Sequence, residues 1–244
     1  MMQVLVSVSS VPEAQTALSA DVRLIDLKDT SHGALAALDL KLSQSIVDIV
    51  NVHRKRKPDT GITVSATVGD DCSSATLLQE LIQSRLTIGV DVIKLPEAIW
   101  ANPSYHDVIN TFLFKHIKLI AVLSPATILD QSAIKDTLSE LAKAGYWGVM
   151  VDTIQKSNSL TTLINLDMLN SFVYSAKSLN LYVGLAGGLS LEQFDQLADL
   201  SPDYLGFRSG LCMNQQRGQP LITEKVQQLT TKLSEICCLL PQTQ

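Results

Sequence analysis

Five charged residues at or near the ends of apolar runs could carry chemistry in this sequence. Lys28 ends the run in LIDLKDT, Lys94 follows VDVI, and Lys156 comes four residues after Asp152 in VMVDTIQKSN. Asp26 precedes Lys28 by two residues. An ammonium group at the rim of a buried strand is costly unless it is paired or used. A desolvated or crowded lysine loses basicity and becomes a nucleophile toward carbonyl carbon, so this set predicts carbonyl chemistry.

The elements that must position these residues are short apolar runs that alternate with amphipathic stretches. Nearly continuous Val, Ile and Leu are typical of parallel strands covered on both faces. The predicted strands are 3–8, 22–28, 62–68, 90–95, 117–123, 147–152, 181–187 and 204–209, and the predicted helices are 11–19, 34–50, 75–88, 103–115, 132–143, 167–179, 190–199 and 222–238. This alternation predicts an α/β fold, a single (β/α)8 TIM barrel over 1–238 with a C-terminal tail at 239–244. A doubly wound open sheet is the alternative, but no GxGxxG turn follows the first run.

A barrel of this kind would gather the charged residues at one rim. Its chemistry lies at the C-terminal ends of the strands, where Asp26, Lys28, Lys94 and Asp152 fall, with Lys156 in the adjoining loop. Asp26 and Lys28 alternate along a strand and therefore point to the same face. We interpret this face as an active site, and a structural ion pair is the alternative. Taken alone, a lysine such as Lys94 is usually the solvated start of a loop, and its convergence with Lys28 is what favours the active site.

Glycines and an arginine after the last two predicted strands indicate a phosphate site. LAGGLS places Gly187 and Gly188 before a helix, where the backbone can approach a ligand and free N–H groups can face an anion. The next unit offers Arg208, Ser209 and Gly210. In barrels, the loops after strands seven and eight often bind phosphate, so we expect these residues to do so. A tight turn without a ligand is the alternative.

The remaining composition disfavours several classes of protein. A net charge of -5 disfavours binding of nucleic acid. The one basic run, HRKRKP at 53–58, is predicted to be a solvated loop at the barrel bottom. The cysteines and histidines lack metal-ligand spacing, so we expect no metal. No apolar stretch approaches the ~18 residues of a membrane span, and no signal-peptide pattern is present. We therefore expect a cytoplasmic protein without membrane partners, and we leave homo-oligomerisation open.

A resemblance to a known family spans essentially the whole chain. LVSV, DLKDTSHGALAAL, VSATVGD, GVDVIKL, VMVDTIQK, LAGGL and GFRSGLC occur in this order with matching spacing. Together they resemble the (5-formylfuran-3-yl)methyl phosphate synthases, which make the furan precursor of methanofuran. The same family occurs in methylotrophic bacteria, whose one-carbon carrier is a related furan coenzyme. None of these segments would be specific alone.

The resemblance implies a reaction and a role for each charged residue. Such a barrel condenses two molecules of glyceraldehyde 3-phosphate, one of which isomerises and forms a Schiff base. By motif, Lys28 is the Schiff-base lysine, Lys94 the general base, and Asp26, Asp152 and Lys156 are supporting groups. Carbon–carbon bond formation, loss of one phosphate and dehydrations then give the furan, and no cofactor is implied.

The sequence departs from the family pattern around the predicted rim. Segments 29–37, 95–98, 122–125 and 214–217 differ from the usual residues, and His32 stands where an acid is usual. Two alternatives therefore remain beside the furan synthase. One is a class I aldolase-like enzyme acting on another phosphosugar, and the other is a non-catalytic barrel that binds a phosphorylated ligand.

Overall fold

The computed structural model describes residues 2–31, 35–153 and 158–239, with side chains to 236. Eight parallel strands pair in chain order and close into a barrel, β1 to β8, which confirms the predicted (β/α)8 fold. The strands are β1 Gln3–Val8, β2 Leu24–Leu27, β3 Thr63–Thr67, β4 Val92–Pro96, β5 Lys118–Leu123, β6 Gly148–Val151, β7 Tyr182–Leu185 and β8 Tyr204–Phe207. Each is short and almost wholly buried, because helices cover one face and packed side chains fill the other.

The helical layer is more divided than the sequence predicts. The α-helices are α1 Val11–Ser19, α2 Leu40–Arg56, α3 Ala75–Thr87, α4 Glu97–Trp100, α5 His106–Phe114, α6 Pro125–Leu129, α7 Ile134–Ala144, α8 Leu160–Leu163, α9 Leu166–Ser178, α10 Phe194–Ala198 and α11 Thr223–Leu239. Short 3-10 turns lie at Pro58–Thr60, Pro103–Tyr105, Leu191–Gln193, Ser209–Leu211 and Met213–Gln215. The additional short helices α4, α6 and α8 all follow the C-terminal ends of strands, so they belong to the side of the barrel where the charged residues were predicted.

The basic run at 53–58 was predicted as a loop, and that prediction is wrong for most of its length. Residues 53–56 form the last turn of α2. Cations are favourable there because the helix dipole places partial negative charge at the C-terminus. Arg54 is tied down further, since it donates to the carbonyl of Ile62 and forms an ion pair with Asp91.

The barrel interior is apolar at its base and charged at its top. Leu5, Leu24, Val92 and Ile120 pack there beside the ring of Tyr204. That ring stacks on Tyr182, with centroids 5.4 Å apart, and Tyr182 stacks on Trp147 at 4.3 Å. This apolar filling excludes water from below, so polar side chains at the top of the barrel lie between a dry core and the opening. No helix among the described residues has the length and hydropathy needed to cross a bilayer.

Candidate active site

A cavity of about 350 Å³ opens at the C-terminal end of the barrel. Its lining includes four of the five residues predicted to be catalytic: Asp26, Lys28, Lys94 and Asp152. The structure therefore brings these four side chains together at one cavity, and their catalytic roles stay a prediction. Lys156 and His32 lie outside the described residues.

Asp26 lies at the centre of a buried hydrogen-bond network. The strand register places Ser7 of β1 and Ser65 of β3 on either side of it. Ser7 Oγ donates to Asp26 Oδ2 at 3.0 Å, and Ser65 Oγ donates to Oδ1 at 2.7 Å. Lys94 Nζ completes the set by donating to Oδ1 at 2.8 Å. The carboxylate is therefore fixed in place by donors from three strands.

Lys28 and Asp152 form a second ion pair across the cavity. Lys28 follows β2 and donates its main-chain N–H to Val8 O at 3.2 Å, while Asp152 follows β6 and donates its own to Leu123 O at 3.2 Å. Lys28 Nζ lies 3.1 Å from Asp152 Oδ2. Because these hydrogen bonds extend the strand ladders past the ends of β2 and β6, both side chains project from a rigid base.

The two pairs influence each other electrostatically. Burial lowers the pKa of Lys94, and the charge of Lys28 lowers it further, although Asp26 opposes both effects. Burial alone would raise the pKa of Asp26, but the charges of Lys94 and Lys28 and the hydrogen bonds from Lys94 and Ser65 lower it below its usual value. The cluster thus keeps a carboxylate ionised beside an amine that releases its proton more readily than an ordinary lysine.

Of the residues predicted to bind phosphate, all but one line the cavity. Gly187, Gly188 and Ser209 line it beside Arg208. Gly187 has a φ of +111°, and a Cβ there would lie 2.6 Å from Thr153 Cγ2, so only glycine fits. Gly210 does not line the cavity, and instead packs so closely on Leu189 O that a Cβ would overlap it. Its lack of a side chain lets the loops after β7 and β8 touch.

Arg208 lies at the cavity wall, but most of its guanidinium is committed to protein groups. Nη1 donates to Glu13 Oε2 at 2.6 Å and to Ser7 O at 3.2 Å. Nε donates to Arg217 O at 2.9 Å, and Nη2 donates to Gln219 O at 3.0 Å. Four of its five N–H groups are engaged in this way.

Sequence reasoning missed Ser7, Glu13 and Arg217. Ser7 is a polar residue inside the apolar run of β1, which is a usable signal. Arg217 lines the cavity and donates to Asp29 O at 3.1 Å, and its position depends on an irregular segment that periodicity cannot place. Glu13 looks like an ordinary first-turn acid of α1, yet it is 6% exposed.

Sequence comparisons with known proteins identify one family. A family model described as 4-HFC-P synthase matches residues 4–230. A Methylorubrum extorquens protein that carries the provisional name (5-formylfuran-3-yl)methyl phosphate synthase is 35% identical over 93% of this chain and 89% of its own. The (5-formylfuran-3-yl)methyl phosphate synthase of Archaeoglobus fulgidus is 30% identical over 86% of this chain and 91% of its own.

Solved structures are similar to this chain in fold alone. Phosphoribosyl anthranilate isomerase from Thermus thermophilus superposes with a TM-score of 0.64 at 14% identity, covering 96% of this chain and 100% of its own. The 3-hexulose-6-phosphate synthase of Salmonella typhimurium superposes with a TM-score of 0.58 at 15% identity, covering 95% of this chain and 99% of its own. Since the family model matches residues 4–230 and both relatives are at least 30% identical over most of the chain, the chain belongs to the 4-HFC-P synthase family.

Proposed function

We propose that this protein condenses two molecules of glyceraldehyde 3-phosphate into (5-formylfuran-3-yl)methyl phosphate through a Schiff base on Lys28. The observation that carries the proposal is the pairing of two lysines with two aspartates in one cavity, Lys28 with Asp152 and Lys94 with Asp26. The product follows from the names of the relatives, and the lysine chemistry follows from the amine groups that face the cavity.

The two lysines differ in access, which suits them to different roles. The side chain of Lys28 is 10% exposed, whereas that of Lys94 is 3% exposed. A Schiff base requires the nitrogen to reach a substrate carbonyl carbon, which favours Lys28. Asp152, 3.1 Å from that nitrogen, can accept the proton released when the amine attacks and return it to the departing hydroxyl.

Lys94 is suited to move protons on carbon. Its lowered pKa increases the fraction of neutral amine, which is the form that can act as a general base. Asp26 holds it in place and stabilises it after it takes a proton. We assign Lys94 to enolisation of the bound triose and to the later eliminations, with Lys156 as a further supporting group.

The reaction balances without an oxidant or reductant. One triose isomerises and binds Lys28 as an imine, and loss of a proton from the adjacent carbon gives an enamine. The enamine forms the new carbon–carbon bond with the aldehyde of the second triose. Loss of one phosphate and two waters, together with release of the lysine, then accounts for every atom of the product.

One substrate phosphate is assigned to the loops after β7 and β8. Gly187, Gly188, Ser209 and Gly210 lie in two loops that touch, and three of them line the cavity. Main-chain N–H groups in such loops suit a phosphate dianion. Arg208 borders this wall and is paired there with Glu13.

Borohydride trapping tests the proposal. Protein incubated with glyceraldehyde 3-phosphate and borohydride should gain a reduced triose adduct on Lys28, and the untrapped reaction should yield the furan. Lys28→Ala should lose both, while Lys57→Ala, which removes an exposed lysine paired with Asp21, should retain both. An adduct accompanied only by a simple aldol product would favour the aldolase-like alternative. Folded wild-type protein without adduct or turnover would favour a non-catalytic barrel.

A further inference from the structure

A buried ion pair joins the first and last units of the barrel beside the cavity. Glu13 in α1 is 6% exposed, and its Oε2 accepts from Arg208 Nη1 at 2.6 Å. The same carboxylate accepts from the main-chain N–H groups of Ser9 at 2.7 Å and Leu221 at 3.3 Å. Glu13 therefore contacts the start of α1, the end of β8 and the segment that follows β8.

Arg208 extends this connection to the backbone of that segment. It donates to the carbonyl oxygens of Arg217 and Gln219 while it remains paired with Glu13. A guanidinium is planar and presents its donors in a fixed fork. Fixing the group at Glu13 thus fixes the two carbonyl groups that it binds.

The segment held in this way, residues 209–222, forms part of the cavity wall. Its two ends meet at the bridge between Cys212 and Leu221 and at the hydrogen bond from Ile222 N to Leu211 O. Ser209 and residues 215–218 line the cavity. Any displacement of the segment therefore changes the shape of the wall to which we assign a phosphate.

We propose that Glu13 and Arg208 are positioning residues, which hold residues 209–222 in the conformation that binds substrate phosphate, and that Arg208 acts through this segment rather than as the phosphate ligand. This inference rests on the proposed function only in that the ligand carries a phosphate. The four N–H groups of Arg208 that already bind Glu13, Ser7, Arg217 and Gln219 support it.

The variant Glu13→Gln separates the two roles by the sign of its effect. If Arg208 were the phosphate ligand, removing the neighbouring negative charge would make the electrostatic potential at the site more positive, and phosphate would bind more tightly. If Arg208 is a positioning residue, the variant weakens its anchor and loosens residues 209–222, so phosphate binds less tightly. Glutamine has the size of glutamate and keeps an acceptor for Leu221 N.

The experiment measures binding of inorganic phosphate by calorimetry, steady-state kinetics with glyceraldehyde 3-phosphate, and amide hydrogen exchange of residues 209–222. We expect Glu13→Gln to weaken phosphate binding and raise KM by about tenfold or more, with kcat and trapping on Lys28 at saturation nearly unchanged. Exchange should accelerate in 209–222 and not in the strands. Arg208→Lys keeps the charge but loses the fork, and should show the same changes.

The matched control is Asp195→Asn, which removes an exposed acid paired with Lys232 and should leave all three measurements unchanged. Tighter phosphate binding by Glu13→Gln, or unchanged exchange of 209–222, would overturn the proposal. If Glu13→Gln does not fold, Arg208→Lys decides by the exchange of residues 209–222, because this variant would bind phosphate less tightly under either role of Arg208. Absence of the furan product would count against the proposed function alone, because the exchange of 209–222 and phosphate binding are measured without turnover.

Discussion

Lys94 Nζ lies 2.8 Å from Asp26 Oδ1 in the barrel interior, where the two side chains are 3% and 4% exposed. Breaking a buried ion pair is costly because one charge is left without its partner. Here the pair also borders the cavity that holds Lys28. The contact between Lys94 and Asp26 therefore affects both the stability of the fold and the pKa of Lys94.

Replacing Lys94 by Met should separate imine formation from later proton transfers. We expect kcat to fall by about 10²- to 10⁴-fold, as for loss of a general base, while borohydride still traps an adduct on Lys28. The buried Asp26 loses a partner, so the free energy of unfolding should drop by about 3–5 kcal/mol. Urea unfolding of Lys94→Met and of the double variant with Asp26→Asn measures this, because the second change should restore stability without restoring activity.

The pH dependence of kcat/KM should reflect the lowered pKa of Lys94. Burial and the charge of Lys28 lower that pKa below the ordinary 10.5, so the acid limb of the profile should lie below that value. Asp26 raises the pKa of Lys94, and removing its charge lowers it further. In Asp26→Asn, the residual activity should therefore show an acid limb displaced to lower pH. Displacement to higher pH would contradict the assignment of Lys94 as the base.

The sequence predicts the charged cluster well because period-two alternation and the strand-end rule are both local. Asp26 and Lys28 share a face by spacing alone, and the barrel topology brings Lys94 and Asp152 to them. The ion-pair partners of these residues cannot be predicted in the same way. Which lysine pairs with which aspartate depends on side-chain reach across the barrel, and spacing would equally allow Lys28 to pair with Asp26.

The hydrogen-bond partners of Arg208 could not be predicted from the sequence. Its position after β8 predicts a phosphate ligand, but the structure commits it to Glu13 and to the carbonyl groups of Arg217 and Gln219. The contact with Glu13 joins residues 195 positions apart, and the carbonyl groups belong to an irregular segment. Neither hydrophobic periodicity nor a motif encodes such a contact, so it emerges only from the closed barrel.

Gly187→Ala should disturb the part of the cavity wall to which we assign a substrate phosphate, because the added Cβ would overlap Thr153 and the backbone would be strained. The φ of Gly187 is +111°, and the added Cβ would lie 2.6 Å from Thr153 Cγ2 and 2.8 Å from Thr153 N. We expect kcat/KM to fall on the order of 10²-fold, because a small misplacement of a bound substrate has effects of that size. Gly145→Ala is the matched control, since Gly145 has a φ of +93° with open space around it. It should lose about 1–2 kcal/mol of stability and keep its KM.

Tyr204→Phe should raise the stability of the protein. The hydroxyl of Tyr204 is buried and has no hydrogen-bond partner in the described part of the chain, and an unsatisfied buried polar group costs about 1–3 kcal/mol. Phenylalanine keeps the stacking on Tyr182 and removes that cost. Thermal unfolding should show a higher Tm with unchanged KM, whereas a lower Tm would mean that the hydroxyl has a partner after all.

The Glu13–Arg208 pair should make the folded state sensitive to acid. Burial alone would raise the pKa of Glu13, but the hydrogen bonds from Arg208 and Ser9 and the charge of Arg208 lower it below its ordinary 4.5. A carboxyl group whose pKa is lower in the folded state stabilises that state above the unfolded pKa, and this contribution is lost as pH falls through the folded pKa. Wild type should therefore exceed Glu13→Gln in free energy of unfolding by about 3–5 kcal/mol near pH 7. Urea unfolding should show that difference shrinking as pH falls below 4.5, and a difference independent of pH would show that Glu13 stabilises the fold by packing and not by its charge.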